Sequence, residues 1–452
     1  MRAQARSAEV DGRARVRQPR NRIAIGLIVL ATAVIVAKAW AAAGTLDLTF
    51  ADKGRLTIDF GNSSFERANA VALQPDGKIV VAGVESLSTR RADFAIARVN
   101  TNGALDPSFA GDGMRTVAIG RNRDDEAEAL AIQPDGKILV AGDSNAHSVV
   151  VRLKPDGTLD KTFSADGRAS VGRDLIISGI GLQTDGRIAV AGTKFSSLDQ
   201  FAVALLTPSG DRDRDFAGDG LRTISFPSPD GFSEGVDLAG GMTVLRNGKI
   251  VVAGNSLQSG AGVEVAIARV KSHGKLDRDF GSDGRTTVGF GHQTDAVGEA
   301  VTVHAGKVVV SGAVAPNSSC RFAVLRLKAR GRLDRDFSKN GKRTVDFGGH
   351  SSIDDCGAFA VETQEDGKIV LAGESPRVPD RGNDLGLARL RPNGMLDQTF
   401  GTDGRVTIGF DNGARLDWGS GLAIQPDGKL VVAGMSQQMD GQRFALARFN
   451  GH

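Results

Sequence analysis

From Gly44 onward the chain is written in short runs. Some alternate apolar with polar residues, others string together four or five β-branched and small apolar ones, and Gly, Pro, Asp or Asn bounds each run. Runs of this length and punctuation predict strands, and nothing beyond residue 43 carries a helical period. The runs return in fixed order. A phrase G-x-L-D-x-x-F-x-x-x-G starts at Gly44, Gly103, Gly157, Gly210, Gly274, Gly331 and Gly394, and an eighth, truncated start falls at Gly451. After the phrase comes an alternating run such as Arg55-Leu-Thr-Ile-Asp-Phe60, then a variable polar loop. Next is a hairpin, typified by Ala70-Val-Ala-Leu-Gln-Pro-Asp-Gly-Lys-Ile-Val-Val-Ala-Gly83, whose Pro-Asp-Gly suits a tight turn with one positive-φ position. A second variable loop leads to a last run, as in Phe94-Ala-Ile-Ala-Arg-Val-Asn100.

Each unit therefore holds four strands, and seven units of about 58 residues fill the chain between Gly44 and Gly451. The pattern predicts an all-β fold, a seven-bladed β-propeller of four-stranded blades spanning residues 44–452. An open solenoid is the alternative, and the ends argue against it. The chain enters just before a phrase-led strand and ends on Phe444-Ala-Leu-Ala-Arg-Phe-Asn450, the run that should precede one. The N-terminal strand, about Arg55 to Phe60, is expected to complete the last blade and close the ring.

The phrases L-D-x-x-F-x-x-D-G, Q-P-D-G-K-I-V-V-A-G and F-A-[IL]-A-R resemble the delta-60 repeat of exported, β-propeller-like proteins, over essentially all of residues 44–452. The resemblance implies a propeller-like repeat domain and supplies no catalytic motif. Departures are local: Arg212 replaces Leu in one phrase, Leu205 stands where six units have Arg, and the turns at Asn247-Gly248 and Ala305-Gly306 lack the Asp. By a looser similarity to NHL propellers, the phrase-led strand would be outermost.

Arg98, Arg152, Arg269, Arg326, Arg389 and Arg448 share one position in the unit. A ring of channel-lining cations is one reading. Pairing with the Asp of the L-D phrase, Asp106 or Asp277 for example, is the stronger one, because Leu205 interrupts the series. The phrase aspartates lack the D-x-D-x-D spacing of a calcium loop and are read as turn residues. Sixteen of the 21 Phe fall on repeat positions and are read as core.

Charge and composition add a leader. The formal net charge is +3, but residues 1–43 carry eight basic side chains against two acidic ones, so the repeats are net negative and nucleic acid is not an expected partner. An apolar run from Ile23 to Ala37 and overlapping A-x-A sites ending at Ala39, Ala41 and Ala43 predict a signal helix, either cleaved or retained as an anchor through residues 23–43. The expected location is exported, periplasmic or secreted, or membrane-anchored by this segment. Cys320 and Cys356, alone in the sequence, fall in loops of adjacent blades and suit a disulfide. With no Tyr, and only Trp418 outside the leader, an aromatic stacking platform is poorly supplied.

In an antiparallel meander the constant hairpin turns and phrases share one face of the ring, and both variable loops share the other. The variable face is the expected binding face, with Asp124, Asp125, Glu126, His350, Asp354, Asp355 and Trp418 as candidates. No catalytic residue, metal site or cofactor is expected. The function expected is a non-catalytic exported scaffold or binding protein, monomeric, with an unknown protein or glycan partner. A hydrolase or lyase with its site at the central channel is the alternative.

Overall fold

The computed structural model describes residues 41–452 apart from 62–64, 89–90, 121–123, 146, 228–235, 259, 261, 293, 317–318, 349–355, 377–381 and 411–415. The described residues hold 28 strands, β1 to β28, in seven antiparallel four-stranded sheets. In the first blade β2 (Phe65–Leu73), β3 (Ile79–Ser88), β4 (Arg91–Val99) and β5 (Met114–Val117) lie side by side in chain order. The first strands of the following blades are β6 (Asp125–Ile132), β10 (Leu175–Leu182), β14 (Asp237–Val244), β18 (Ala296–His304), β22 (Gly357–Thr363) and β26 (Asp417–Ile424). Each packs against the first strand of its neighbour, β2 against both β6 and β26, so the seven form the inner wall of a closed ring. The phrase-led strands lie on the rim.

The last blade contains its own closure. After β26 come β27 (Leu430–Gln438) and β28 (Gly441–Phe449), and its rim strand is β1 (Arg55–Ile58), paired from Arg55↔Ala447 to Ile58↔Phe444. The expected N-terminal closure of a seven-bladed propeller is thus the fold observed. Around it Gly44 N donates to Asn450 O at 2.7 Å and Gly401 N to Ala43 O at 2.9 Å.

The hydrophobic pattern follows from where the core lies. Second and third strands are sandwiched between blades, so both faces are buried and their sequence reads as a continuous apolar run. Val81 packs toward Val431 and Leu446 of the last blade, whereas Val80 and Ala82 pack toward Val140 and Val151 of the second. Rim strands bury one face and alternate. The phrase residues Phe50, Phe109, Phe163, Phe216, Phe280, Phe337 and Phe400 are all fully buried.

The repeated arginine is structural. Arg98 Nε donates to Asp106 Oδ2 at 2.7 Å, and Arg152, Arg269, Arg326, Arg389 and Arg448 make the same bond to Asp160, Asp277, Asp334, Asp397 and Asp47. Each guanidinium also lies over the phrase Phe, at 4.4 Å for Arg152 and Phe163, and donates to a turn carbonyl of the next blade, as Arg152 Nη1 does to Pro208 O at 2.7 Å. The third blade, with Leu205, has another solution. Its hairpin carries Arg187 where most units have Lys, and Arg187 Nη1 donates to the phrase carboxylate Asp213 at 3.0 Å.

Candidate functional site

Every first strand slips by a residue against the second. The register breaks between Ala68 and Ala70, Ala127 and Ala129, Ile177 and Gly179, Ala239 and Gly241, Gly298 and Ala300, Gly357 and Ala360, and Gly419 and Gly421. A bulge leaves one residue unpaired and re-aims it. Its cause lies in the hairpin motif V-A-G: a Cβ on Gly83 would strike the Arg67 carbonyl, and Gly142, Gly192, Gly254, Gly312, Gly373 and Gly434 meet the equivalent carbonyl in every other blade. Only glycine lets the bulged strand pass this close.

The bulges place Asn69, Glu128, Ser178, Gly240, Glu299, Phe359 and Ser420 on the wall of a central channel of about 850 Å³, which residues of all seven first strands line. Arg67, Trp418, Leu416, Glu374 and Asn383 line it toward the variable-loop face, and Glu362 lies deeper. A contiguous cleft of about 430 Å³ shares Glu128 and is lined by Asp124, Glu126, Asp143, Asp174, Ile176 and Phe195. Its acids stand over an apolar shelf, since Ile176 and Phe195 are exposed.

Hydrogen bonds cross between blades one and two at the cleft. Asn69 Nδ2 donates to Glu126 Oε1 at 2.9 Å, to Ala127 O at 2.9 Å and to Glu128 Oε2 at 3.3 Å, and Arg67 pairs with Glu126. Burial, reinforced by the charge of Glu126, pushes Glu128 up to about 8. Burial likewise lifts Asp143 to about 6, although Ile177 N and Ser148 Oγ donate to it at 2.9 Å. On the far side of the channel burial raises Glu299 and Glu362 to about 7.

The sequence candidates divide. Asp124 and Glu126 line the cleft and half-buried Trp418 lines the channel mouth. Asp125 is instead fully buried, and its Oδ2 accepts from Ile119 N at 2.6 Å and Gly120 N at 3.3 Å. Glu66, Asp237 and Asp417 hold the same repeat position and accept from Phe60 N, Phe226 N and Phe410 N, fixing the end of the preceding rim strand. These acids serve the fold. His350, Asp354 and Asp355 lie outside the described residues, as do the leader and its predicted helix. Cys320 and Cys356 are bonded to each other, with Cα atoms 6.1 Å apart, and Cys356 occupies the repeat position of that buried acid. The sequence places Glu299 among the acidic residues of the variable-loop face without marking it as a site, and does not point to Glu362. The hairpin Gly, once tied to the bulge, is the signal that finds the channel-facing position.

Among the described residues no histidine lines the channel or cleft, and no group of three His, Cys, Asp or Glu is arranged to hold a metal ion.

A family described as a domain of unknown function (DUF5122) beta-propeller matches six segments, 74–109, 133–163, 183–216, 245–280, 364–400 and 425–451. Each runs from a hairpin turn into the following phrase. No curated protein matches the chain in sequence. Among solved structures, virginiamycin B lyase from Staphylococcus aureus is similar at 11% identity and TM-score 0.47, over 87% of this chain and 98% of that one. A protein of unknown function from Dyadobacter fermentans gives 14% and 0.45, over 88% and 100%. The β-propeller domain of the Trilobed protease from Pyrococcus furiosus, described as having an open velcro topology, gives 12% and 0.44, over 87% and 95%.

Proposed function

We propose that the chain is an exported propeller of the delta-60 repeat type and a non-catalytic binding scaffold, whose ligand or partner, a protein or glycan, docks at the channel mouth on the variable-loop face. One observation carries this reading. Seven units of one pattern differ from one another at the bulge and mouth positions, where Asn, Glu, Ser, Gly and Phe occupy equivalent sites around one cavity, while the turn and phrase residues of the opposite face repeat. Variable positions on a rigid scaffold are where binding usually resides, and here they converge on one concave cavity. The basic leader and the bonded cysteines support export.

A second reading, a hydrolase or lyase working in the channel, draws on the carboxyls that burial lifts toward neutrality, Glu128, Glu299 and Glu362. The absence of a histidine within the described lining leaves them without the expected partner.

A thermal-shift screen of residues 41–452 with glycans, divalent cations and peptides tests the proposal. A ligand that stabilises the wild type, and loses that effect in Trp418→Ala or Ile176→Ser but not in the rim variant Lys161→Ala, supports it. No stabilising ligand, or one insensitive to the mouth variants, overturns it. Turnover of a bound glycan would favour the enzyme.

A further inference from the structure

Glu128 and Glu299 are the bulge residues of β6 and β18, the same place in the second and fifth blades. They differ in what the preceding blade offers. Ahead of Glu128 stands Asn69, whose amide reaches it, and Arg67 neutralises the adjoining Glu126. Ahead of Glu299 the corresponding residues are Gly240 and Leu238, and neither has a donor side chain. Gly240 cannot be replaced by a donor, because a Cβ there would run into the Gly298 carbonyl. Among the described residues Glu299 makes no hydrogen bond and meets no cation, and its part-exposed side chain opens on the channel. An unpaired carboxylate so placed is unfavourable. In the first two blades the counterpart at least has an N–H donor and a cation nearby, although burial and the adjoining Glu126 still push it up to about 8.

We propose that Glu299 receives the ammonium group of a small organic cation bound in the channel. Glu362, on the next blade and three residues beyond the bulge position, lies roughly 10 Å further along the axis at the usual strand rise. An extended aliphatic diamine or polyamine would meet both carboxylates, with Val71, Val301 and Leu422 along its methylene chain. A metal ion fits less well, since the carboxyls stand on separate blades. The inference rests on the channel being the binding site.

Isothermal titration of the full domain with spermidine at about pH 8 tests it. Saturable binding is expected, weakened about tenfold or more in Glu299→Gln. Absence of binding, or equal affinity in Glu299→Gln, overturns the inference. So does calcium chloride binding that spermidine does not displace. Should Glu299→Gln fail to fold, the wild type still decides, because binding must weaken as pH falls through the range where Glu299 takes up its proton. The charged groups on strands packed against β18 are Asp237 and Glu362 on the flanking first strands, Glu264 and Arg269 in Gly262–Val270, and Lys307 in Lys307–Val314, and none of them shifts Glu299. Affinity independent of pH there counts against the inference. If spermidine fails while a glycan or peptide binds through Trp418, the cation falls and the binding scaffold stands.

Discussion

The buried acid that opens a first strand meets different residues across the strand from it. Asp125, Asp237 and Asp417 face Ser144, Ser256 and Ser436, a hydroxyl in each case, but Glu66 faces Glu85. Burial, with Glu85 and Asp59 adding repulsion, pushes Glu66 up to about 7, and burial also raises Glu85. Both carboxyls keep one buried oxygen without a hydrogen-bond partner, as does Asp125, whose facing Ser144 hydroxyl is unpartnered too. Glu85→Ser should therefore stabilise the protein by roughly 1 kcal/mol at pH 8 and less at pH 5, measured by urea unfolding. Glu299 makes the same point more simply. Its folded value of about 7 exceeds the unfolded 4.5, so between these pH values the native state holds the proton that the unfolded state has lost. Its contribution to stability should be full below about 4.5 and be lost as pH rises through 7, on the order of 3 kcal/mol. Glu299→Gln should flatten that decline and raise the melting temperature at pH 8.

At the scale of the blade, one guanidinium ties three things together: the phrase carboxylate, the phrase Phe and the next blade's turn. Asp106 and Asp47, paired in this way and bonded also by Ser108 and Thr49, lie well below the usual carboxylate range at about 2 despite the opposing cost of burial. Removing the cation strands the acid. Arg152→Ala should cost about 3–5 kcal/mol, read from the denaturation midpoint. The disulfide plays a comparable part between blades five and six, where Cys356 replaces the capping acid. It closes a 36-residue separation, and Cys320→Ser with Cys356→Ser should lower stability by about 3 kcal/mol. The denatured wild type should show no free thiol without reductant.

For the whole ring the first described residues tie the N-terminal strand to the sixth blade and fix its own entry turn. The Ala43 carbonyl accepts Gly401 N, and the Ala42 carbonyl accepts both Thr45 N and Thr45 Oγ1. Cleavage of the leader after Ala43 would remove both acceptors, whereas cleavage after Ala39 or Ala41 keeps them. If the proposed export includes cleavage, N-terminal sequencing of the processed protein should begin at Trp40 or Ala42. A chain beginning at Gly44 would show that the ring closes without those bonds.

Strand content, unit count and the closing strand were legible in the sequence because they depend on short-range patterns: two-residue alternation, turn residues and a phrase repeated in order. The pairing of Arg98 with Asp106 was legible for the same reason, since both recur at a fixed separation within one unit. The site was not. Asp124, Asp125 and Glu126 are consecutive acids in the chain, yet one caps a rim strand in full burial while its neighbours border an open cleft. Glu128 and Glu299 occupy one repeat position, and what separates them is Asn69 in one preceding blade and Gly240 in another. A unit's sequence determines its own strands. Which carboxyl finds a donor depends on the side chain that the adjoining blade brings to the axis, and only the packing of one blade against the next decides that.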